Sequence, residues 1–486
     1  MRGDLDKGWT LYRHRDFTGG ENRLIIPERV LPNQLLKARN CTFTGDGILQ
    51  SRLGKSLVNT APLDAPITSV HRFVMEDGTG YLLVQSDTTL YAVAWDGSET
   101  LDDLTTGAVT KTVNAAKLRS VVWKDRIILT NGEDNPFAFD GAAFADLGGT
   151  PPKSITLAVY ASKLFLVDAA NPNFIRFSAL EDPDTWDALD VINVRSGDGD
   201  TIQALSPLVG GLMVFKKHST WVLYGFDRFD MALSTSPLHP SVGAYSPDAV
   251  VDGGIVFAGD NLYSFATNEV APLSLTHKDV FSAMTEAQKR AVYADITPAN
   301  GRAMFHIGSE ILNVETRYMG ILSWDNLNAA CFSSCSGVGD DGSLLIGDAD
   351  TGSIYKISNS VDDDGTEITT EVWDSFRDYE IVRKKVWRKC SPEFETFVTP
   401  DRAIYYAYDI DFGTTSGTDG IQNFDTHGAL IWGAGKWGVN YWSNGYLFNP
   451  DFNFTARGNR ISFRVKTGQR VRYLGYVTKF REAGYL

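Results

Sequence analysis

One pattern governs residues 67–360 and restricts the fold more than any other feature. An apolar strand is followed by a polar turn, a second apolar strand ending in an aromatic, and then Gly or Asp. It reads as "VHRFVMEDGTGYLLVQSDTTLYAVAWDG" from Val70, as "LRSVVWKDRIILTNGEDNPFAFDG" from Leu118 and as "SITLAVYASKLFLVDAANPNFIRFS" from Ser154. It returns from Ile202, Pro247, Gly301 and Ala330. Short alternating strands joined by Gly, Asp and Asn turns are the signal of antiparallel hairpins. Hairpin repeats of this length predict a β-propeller, in which a four-stranded blade takes roughly 40–50 residues. The span divides best into six blades of about 49 residues, and seven instances of the pattern leave seven blades open. The expected class is therefore all-β.

The pattern is interrupted once. Near residues 276–295, Val280, Met284, Ala287 and Ala291 fall at helical spacing, with Thr285 and Gln288 arranged as a capping box. One inserted helix, or two short ones, is expected there. "SVDDDGTEI" from Ser360 reads as a solvated, turn-rich boundary, because it lacks the ligand spacing of a calcium loop. Residues 361–486 form a further β-rich domain with sandwich-like alternation. In it Trp432, Trp437 and Trp442 stand five apart, a spacing that fits separate anchors better than one strand or helix face. A stacking platform for sugars or bases is the sharper reading of the three indoles. Residues 1–66 are expected to supply strands of an arm or platform packed on both other parts.

Chemistry-bearing constellations are sparse. Seven histidines are scattered without a zinc-binding i,i+4 pair, and each defaults to a surface or core role. Cys331 and Cys335 read as small buried hydrophobes, since no second Cys/His pair completes a ligand set. Nucleophile elbows, Walker loops and dinucleotide fingerprints are missing. No catalytic residue, cofactor or metal is expected. No apolar run is long enough to span a bilayer, and the first residues lack the apolar core of a signal peptide, so synthesis in a cytosol is expected. The formal net charge of −15 argues against a nucleic-acid binder of the basic-patch type. Against that trend, Asp451 to Leu486 holds eight Lys and Arg and two acids, a local +6.

The stretch "GGENRLIIPERVLPNQLLKARNCTFTGDGILQSRLG" from Gly19 resembles the N-terminal signature of the tail nozzle or hub proteins of short-tailed phages, the tail tubular protein B or packaged-DNA stabilisation family. The closing part is carried by Gly47, Leu49, Arg52 and Gly54. Further soft matches follow in order: "NFIRFSALEDPDTWD", "LMVFKKHSTWVLYG", "GAYSPDAVVDGGIVFAGDNLYSF" and "TGQRVRYLGYVTKFREAG".

The resemblance implies a virion structural protein made in the host bacterial cytoplasm and built into the tail. It implies a homo-hexameric ring below the portal and its adaptor ring, extending and gating the DNA channel. Fibres, spikes or a needle would be further partners, and double-stranded DNA would pass through the lumen without tight binding. Gly19, Gly20, Asn22 and Arg52 become candidate assembly-interface residues. Arg464, Arg470 and Arg472, from the basic C-terminal strands, join them as a contact to an acidic neighbour, with a DNA-touching loop as the alternative. A glycan-binding or glycan-hydrolysing propeller, with Trp432, Trp437 and Trp442 as sugar platforms, is the competing expectation.

Overall fold

The computed structural model describes the chain outside residues 1–7, 98–99, 226–229, 252–253, 298–300, 309, 336–341, 359, 382, 397–403, 412–414, 423–445, 449–451, 469 and 484–486. It divides into two compact units. One comprises Lys55–Leu312 and Asn326–Ser358, the other Met1–Gly54, Asn313–Asp325 and Asn359–Leu486.

The first unit is a β-propeller. Its blades begin with the strands Ile67–Val74, Arg119–Trp123, Ser154–Tyr160, Ile202–Leu208, Val250–Val251, Tyr293–Thr297 and Ala329–Ser334. These seven strands adjoin in order, and Ala329–Ser334 adjoins Ile67–Val74, so the ring is closed. Among the described residues the blade count is seven, the larger of the two expected numbers. Dividing by an even 49 residues misleads because blade lengths differ. Blade 5 opens with a two-residue strand, and blade 7 draws on two distant parts of the chain.

Blade 7 explains how the ring is held. Its strands Ala329–Ser334, Leu344–Asp348 and Ile354–Ile357 are completed by Lys55–Leu57, antiparallel to the last of them. Asn59 reinforces the join. Its side-chain carbonyl accepts from the Ile354 amide at 2.7 Å, and its amide nitrogen donates to the Gly352 carbonyl at 3.0 Å. Apolar residues between neighbouring blades supply the core. Phe73, Leu83, Leu129, Phe137 and Phe139 fill the gap between blades 1 and 2, and Phe165, Phe177, Leu212 and Val214 that between blades 3 and 4. Between blades 5 and 6 lie two short helices, Lys278–Ala283 and Glu286–Arg290, and the expected capping box of Thr285 and Gln288 opens the second.

The second unit is a β-sandwich. One sheet centres on Lys385–Thr396 and Val471–Glu482, flanked by Thr10–His14, Leu49–Ser51 and Phe452–Gly458. The other contains Leu35–Arg39, Thr370–Asp374, Ile461–Thr467 and Ile404–Ile410, with Ile321–Trp324 parallel to the first of these. Phe17, Phe43, Trp387, Phe394, Phe463, Tyr473 and Tyr476 form its core. The described residues 8–54 are thus not a separate arm. They supply strands and core side chains to the same unit as the C-terminal region.

Candidate functional site

The first strands of the blades line a central cavity of about 430 Å³. Charged groups cross it. Arg119 donates from Nε and Nη2 to the two oxygens of Asp248, at 2.7 and 2.9 Å. Its third nitrogen, Nη1, donates to the Ile155 carbonyl at 3.0 Å. Lys117 Nζ lies 3.6 Å from the same carboxylate and 4.5 Å from the centre of the Tyr293 ring. Arg119 begins blade 2 and Asp248 directly precedes blade 5, three places round a ring of seven. The pair therefore ties opposite sides of the disc through its axis.

Electrostatics follows from that geometry. Burial alone would raise the Asp248 carboxyl, but Arg119 and Lys117 outweigh it and hold the group below the usual carboxylate range. His71 lies beside the pair, its Nδ1 2.9 Å from Ser120 Oγ, while its buried Nε2 has no hydrogen-bond partner. His306 stacks on Tyr293 with ring centres 4.7 Å apart. Burial, with the charge of Lys117 adding, pushes both imidazoles down to about 4. Burial also pushes the Cys331 thiol up to about 11. At neutral pH the cavity thus holds a compensated carboxylate, the neutral imidazole of His71 and a protonated thiol, with neutral His306 stacked on Tyr293. This arrangement fixes charge in place and suits a polar plug. Lys117, Arg119, Asp248 and Tyr293 were not singled out in the sequence. The available signal was the presence of charged residues in or beside the opening strand of a repeat, the strand that lines a propeller's axis.

The candidate residues of the opening stretch lie inside the sandwich unit. Arg52 is 1% exposed. It donates from Nε to Asn40 at 3.0 Å, from Nη1 to the Leu53 carbonyl at 3.1 Å and to Asp363 at 2.8 Å, and from Nη2 to the Asp325 carbonyl at 3.1 Å and to Asp363. All five donors are used internally, which corrects its assignment to an assembly interface. Asp363 was read as part of a solvated linker; it is the buried counter-ion, set in a small hairpin turned by Asp364 and Gly365. Asn40 adopts a φ of 54° and bonds to Asp325 and to the Thr369 carbonyl. Gly20, at φ 67°, leaves 2.7 Å between an added Cβ and the Ile321 backbone, and at Gly54 that distance to the Asp362 carbonyl is 2.1 Å. Gly19 packs on Gln34, and Asn22 is buried and donates to Gln34 at 2.8 Å. What this stretch exposes is different: Leu24, Ile25, Ile26 and Leu31 are 43, 39, 55 and 56% exposed.

The C-terminal arginines do not form one face. Arg464 lies in Ile461–Thr467, paired with Asp409 and 4.1 Å from the centre of the Trp373 ring. Arg472 lies in the other sheet, 3.3 Å from Glu395, with Arg470 partly buried just before it. The charges of Arg464 and Arg472 are engaged in separate places because adjacent strands of the sequence enter opposite layers. The basic surface lies elsewhere. On the outer side of Lys385–Thr396 and Val471–Glu482, Arg388, Lys479 and Arg481 stand 5.8, 5.7 and 4.9 Å from the ring centre of Trp9. Lys389 lines the same recess of about 520 Å³, and Arg457 faces Val386 on the neighbouring strand. The sandwich unit carries 26 Lys and Arg against 25 Asp and Glu, a net of +1, whereas the propeller unit carries 19 against 35, a net of −16. Trp432, Trp437 and Trp442 lie outside the described residues. Among the described residues no group of three or more His, Cys, Asp or Glu is placed to hold a metal ion, and no helix is long and apolar enough to cross a membrane.

Comparison with known proteins yields likeness of fold alone. No protein-family profile matches the chain, and no curated protein matches its sequence. Among solved structures, it is similar to the extracellular domain of the putative one-component system BT4673 from B. thetaiotaomicron, at 10% identity and a TM-score of 0.41, over 63% of this chain and 40% of that one. It is also similar to a virginiamycin B lyase from Staphylococcus aureus, at 11% identity and a TM-score of 0.40, over 63% and 98% of the two chains. PorZ, a component of the type-IX secretion system of Porphyromonas gingivalis, matches at 10% and 0.36, over 66% and 42%. The chain thus covers less than half of the first and third of these structures.

Proposed function

We propose that this chain is a non-enzymatic structural protein of a short-tailed phage tail, a nozzle or hub subunit that assembles as a ring and conducts DNA. One observation carries the reading. The stretch that resembles the nozzle signature is fastened from within by Arg52, Asn40, Gly20 and Gly54, and it holds Leu24, Ile25, Ile26 and Leu31 out to solvent. Three consecutive exposed apolar side chains, Leu24 to Ile26, with Leu31 near in sequence, on an internally bonded support suit a surface covered by protein. The chemistry of the propeller axis fits the same reading. A cavity of about 430 Å³ crossed by an ion pair has the size of a small-molecule site and is far too small for a duplex. In this proposal DNA passes between copies arranged in a ring. The −16 of the propeller unit suits such a passage, because a wall poor in cations gains little from counterion release.

Negative-stain microscopy of the purified protein tests the proposal. Closed rings of uniform order, and their loss in Ile25→Asp/Ile26→Asp, are the expected results. Monomers that bind or cleave polysaccharide would favour the glycan reading in its place.

A further inference from the structure

The two units differ in charge, and the sandwich unit gathers its excess cations on one side. Around Trp9 stand Arg388, Lys389, Lys479 and Arg481, with Arg457 one strand away. Among the described residues, Arg388, Arg457 and Arg481 make no ion pair. The register shows why they share a face. Lys389 opposes Lys479, while Val386 opposes both Arg481 and Arg457, and the alternate residues Trp387, Phe480 and Ala456 point into the core. Leu11, opposite Lys479 on the edge strand, is 64% exposed. The surface therefore combines several cations with an indole and an aliphatic side chain. Concentrating like charges in this way is unfavourable unless something acidic covers them.

A matching surface exists on the same chain's propeller. Strand Asp182–Asn193 is the outermost strand of blade 3 and, at 12 residues, is long for an edge. Long edges with apolar side chains are normally protected. On and beside it Leu180, Leu189 and Val191 are 62, 77 and 40% exposed, interleaved with the exposed acids Glu181 and Asp187. Acids and aliphatics on this strand complement cations, indole and Leu11 on the other face.

We propose that the Trp9-centred basic face of one copy docks the acidic blade-3 edge of a second copy. Such a contact joins two different surfaces, so it is heterologous, and repeated copies close into a ring when the rotation allows. The inference rests on the ring reading above and adds a second contact to the one expected at Leu24, Ile25, Ile26 and Leu31.

The test uses the full-length protein in sedimentation velocity at low and high salt. Wild-type association should weaken at least tenfold between 50 and 500 mM NaCl. Arg388→Glu/Arg481→Glu, whose side chains point to solvent, should weaken it about a hundredfold at low salt with an unchanged circular dichroism spectrum. Mixing that variant with Glu181→Lys/Asp187→Lys should restore association between the two. Rings that form normally from Arg388→Glu/Arg481→Glu would overturn this interface and leave the ring reading standing. Salt-sensitive open chains that the same variant abolishes would support the interface and count against closed rings. A 20-nucleotide DNA that binds wild type, fails to bind the variant and leaves self-association unchanged would overturn the proposal in favour of a nucleic-acid surface.

Discussion

The cross-axis ion pair offers a sharp test of how the propeller is held together. Arg119 meets both oxygens of Asp248, Lys117 lies 3.6 Å away, and the side chains of the pair are only 20 and 19% exposed. Arg119→Met removes two charge-assisted hydrogen bonds and leaves a buried carboxylate with one more distant cation. Breaking one partner of such a pair costs about 3–5 kcal/mol, and Lys117 brings the expectation to about 3 kcal/mol. Asp248→Asn leaves two cations facing a neutral amide and should cost about 2 kcal/mol. The double variant removes both charges of the pair and should cost only about 2 kcal/mol, since replacing a whole buried pair is often nearly neutral and what remains is Lys117 facing an amide in place of its carboxylate. The coupling energy is then about 3 kcal/mol. Urea unfolding followed by tryptophan fluorescence and circular dichroism measures it, provided the m-values agree. Losses that simply add, within about 0.5 kcal/mol, would refute the reasoning, because additivity is the signature of independent sites.

Three further expectations follow from the same geometry. His71 and His306 titrate near 6.5 when unfolded but only at about 4 when folded, so the unfolded chain binds the extra protons between those values. Stability should be flat above pH 7 and fall by about 1–2 kcal/mol per histidine by pH 5; a propeller melting temperature unchanged over that range would contradict it. Arg52→Lys keeps the charge but cannot reproduce five planar donors, and should cost about 2–3 kcal/mol, with Arg52→Met costing more; equal stability of Arg52→Lys and wild type in urea would refute the buried-network account. Gly54→Ala places a methyl 2.1 Å from the Asp362 carbonyl and should lower soluble yield or melting temperature by more than an exposed Gly45→Ala, which meets only Arg317 Nη1 at 3.7 Å; a thermal shift assay ranks the two.

Particular residues show what the sequence made legible. The hairpin repeats were readable because strand alternation and turn residues act over a few positions, and the capping box at Thr285 and Gln288 is equally local. Closure was not readable. Lys55–Leu57 is three residues long and meets its partner strand 297 or more positions later, so no local period marks it. Arg52 and Asp363 illustrate the same limit. A resemblance transmits that an arginine recurs, but not whether its donors face another chain or a carboxylate 311 positions away. The axial groups Lys117, Arg119 and Asp248 were hidden for a related reason: two ordinary charged residues become a pair only once seven blades bring blades 2 and 5 face to face.

The join between Lys55–Leu57 and Ile354–Ile357 also sets a timetable for biosynthesis. A ribosome adding roughly 5–20 residues per second takes about 15–60 s to deliver the second strand after the first. Throughout that interval the early blades have exposed flanks and the ring cannot shut. The sandwich unit waits longer still, since its opening strands pair with Val471–Glu482. The propeller can therefore shut only after its last strand has emerged, with the sandwich following later, and a nascent chain stalled before residue 354 would expose blade flanks that chaperones bind and proteases cut.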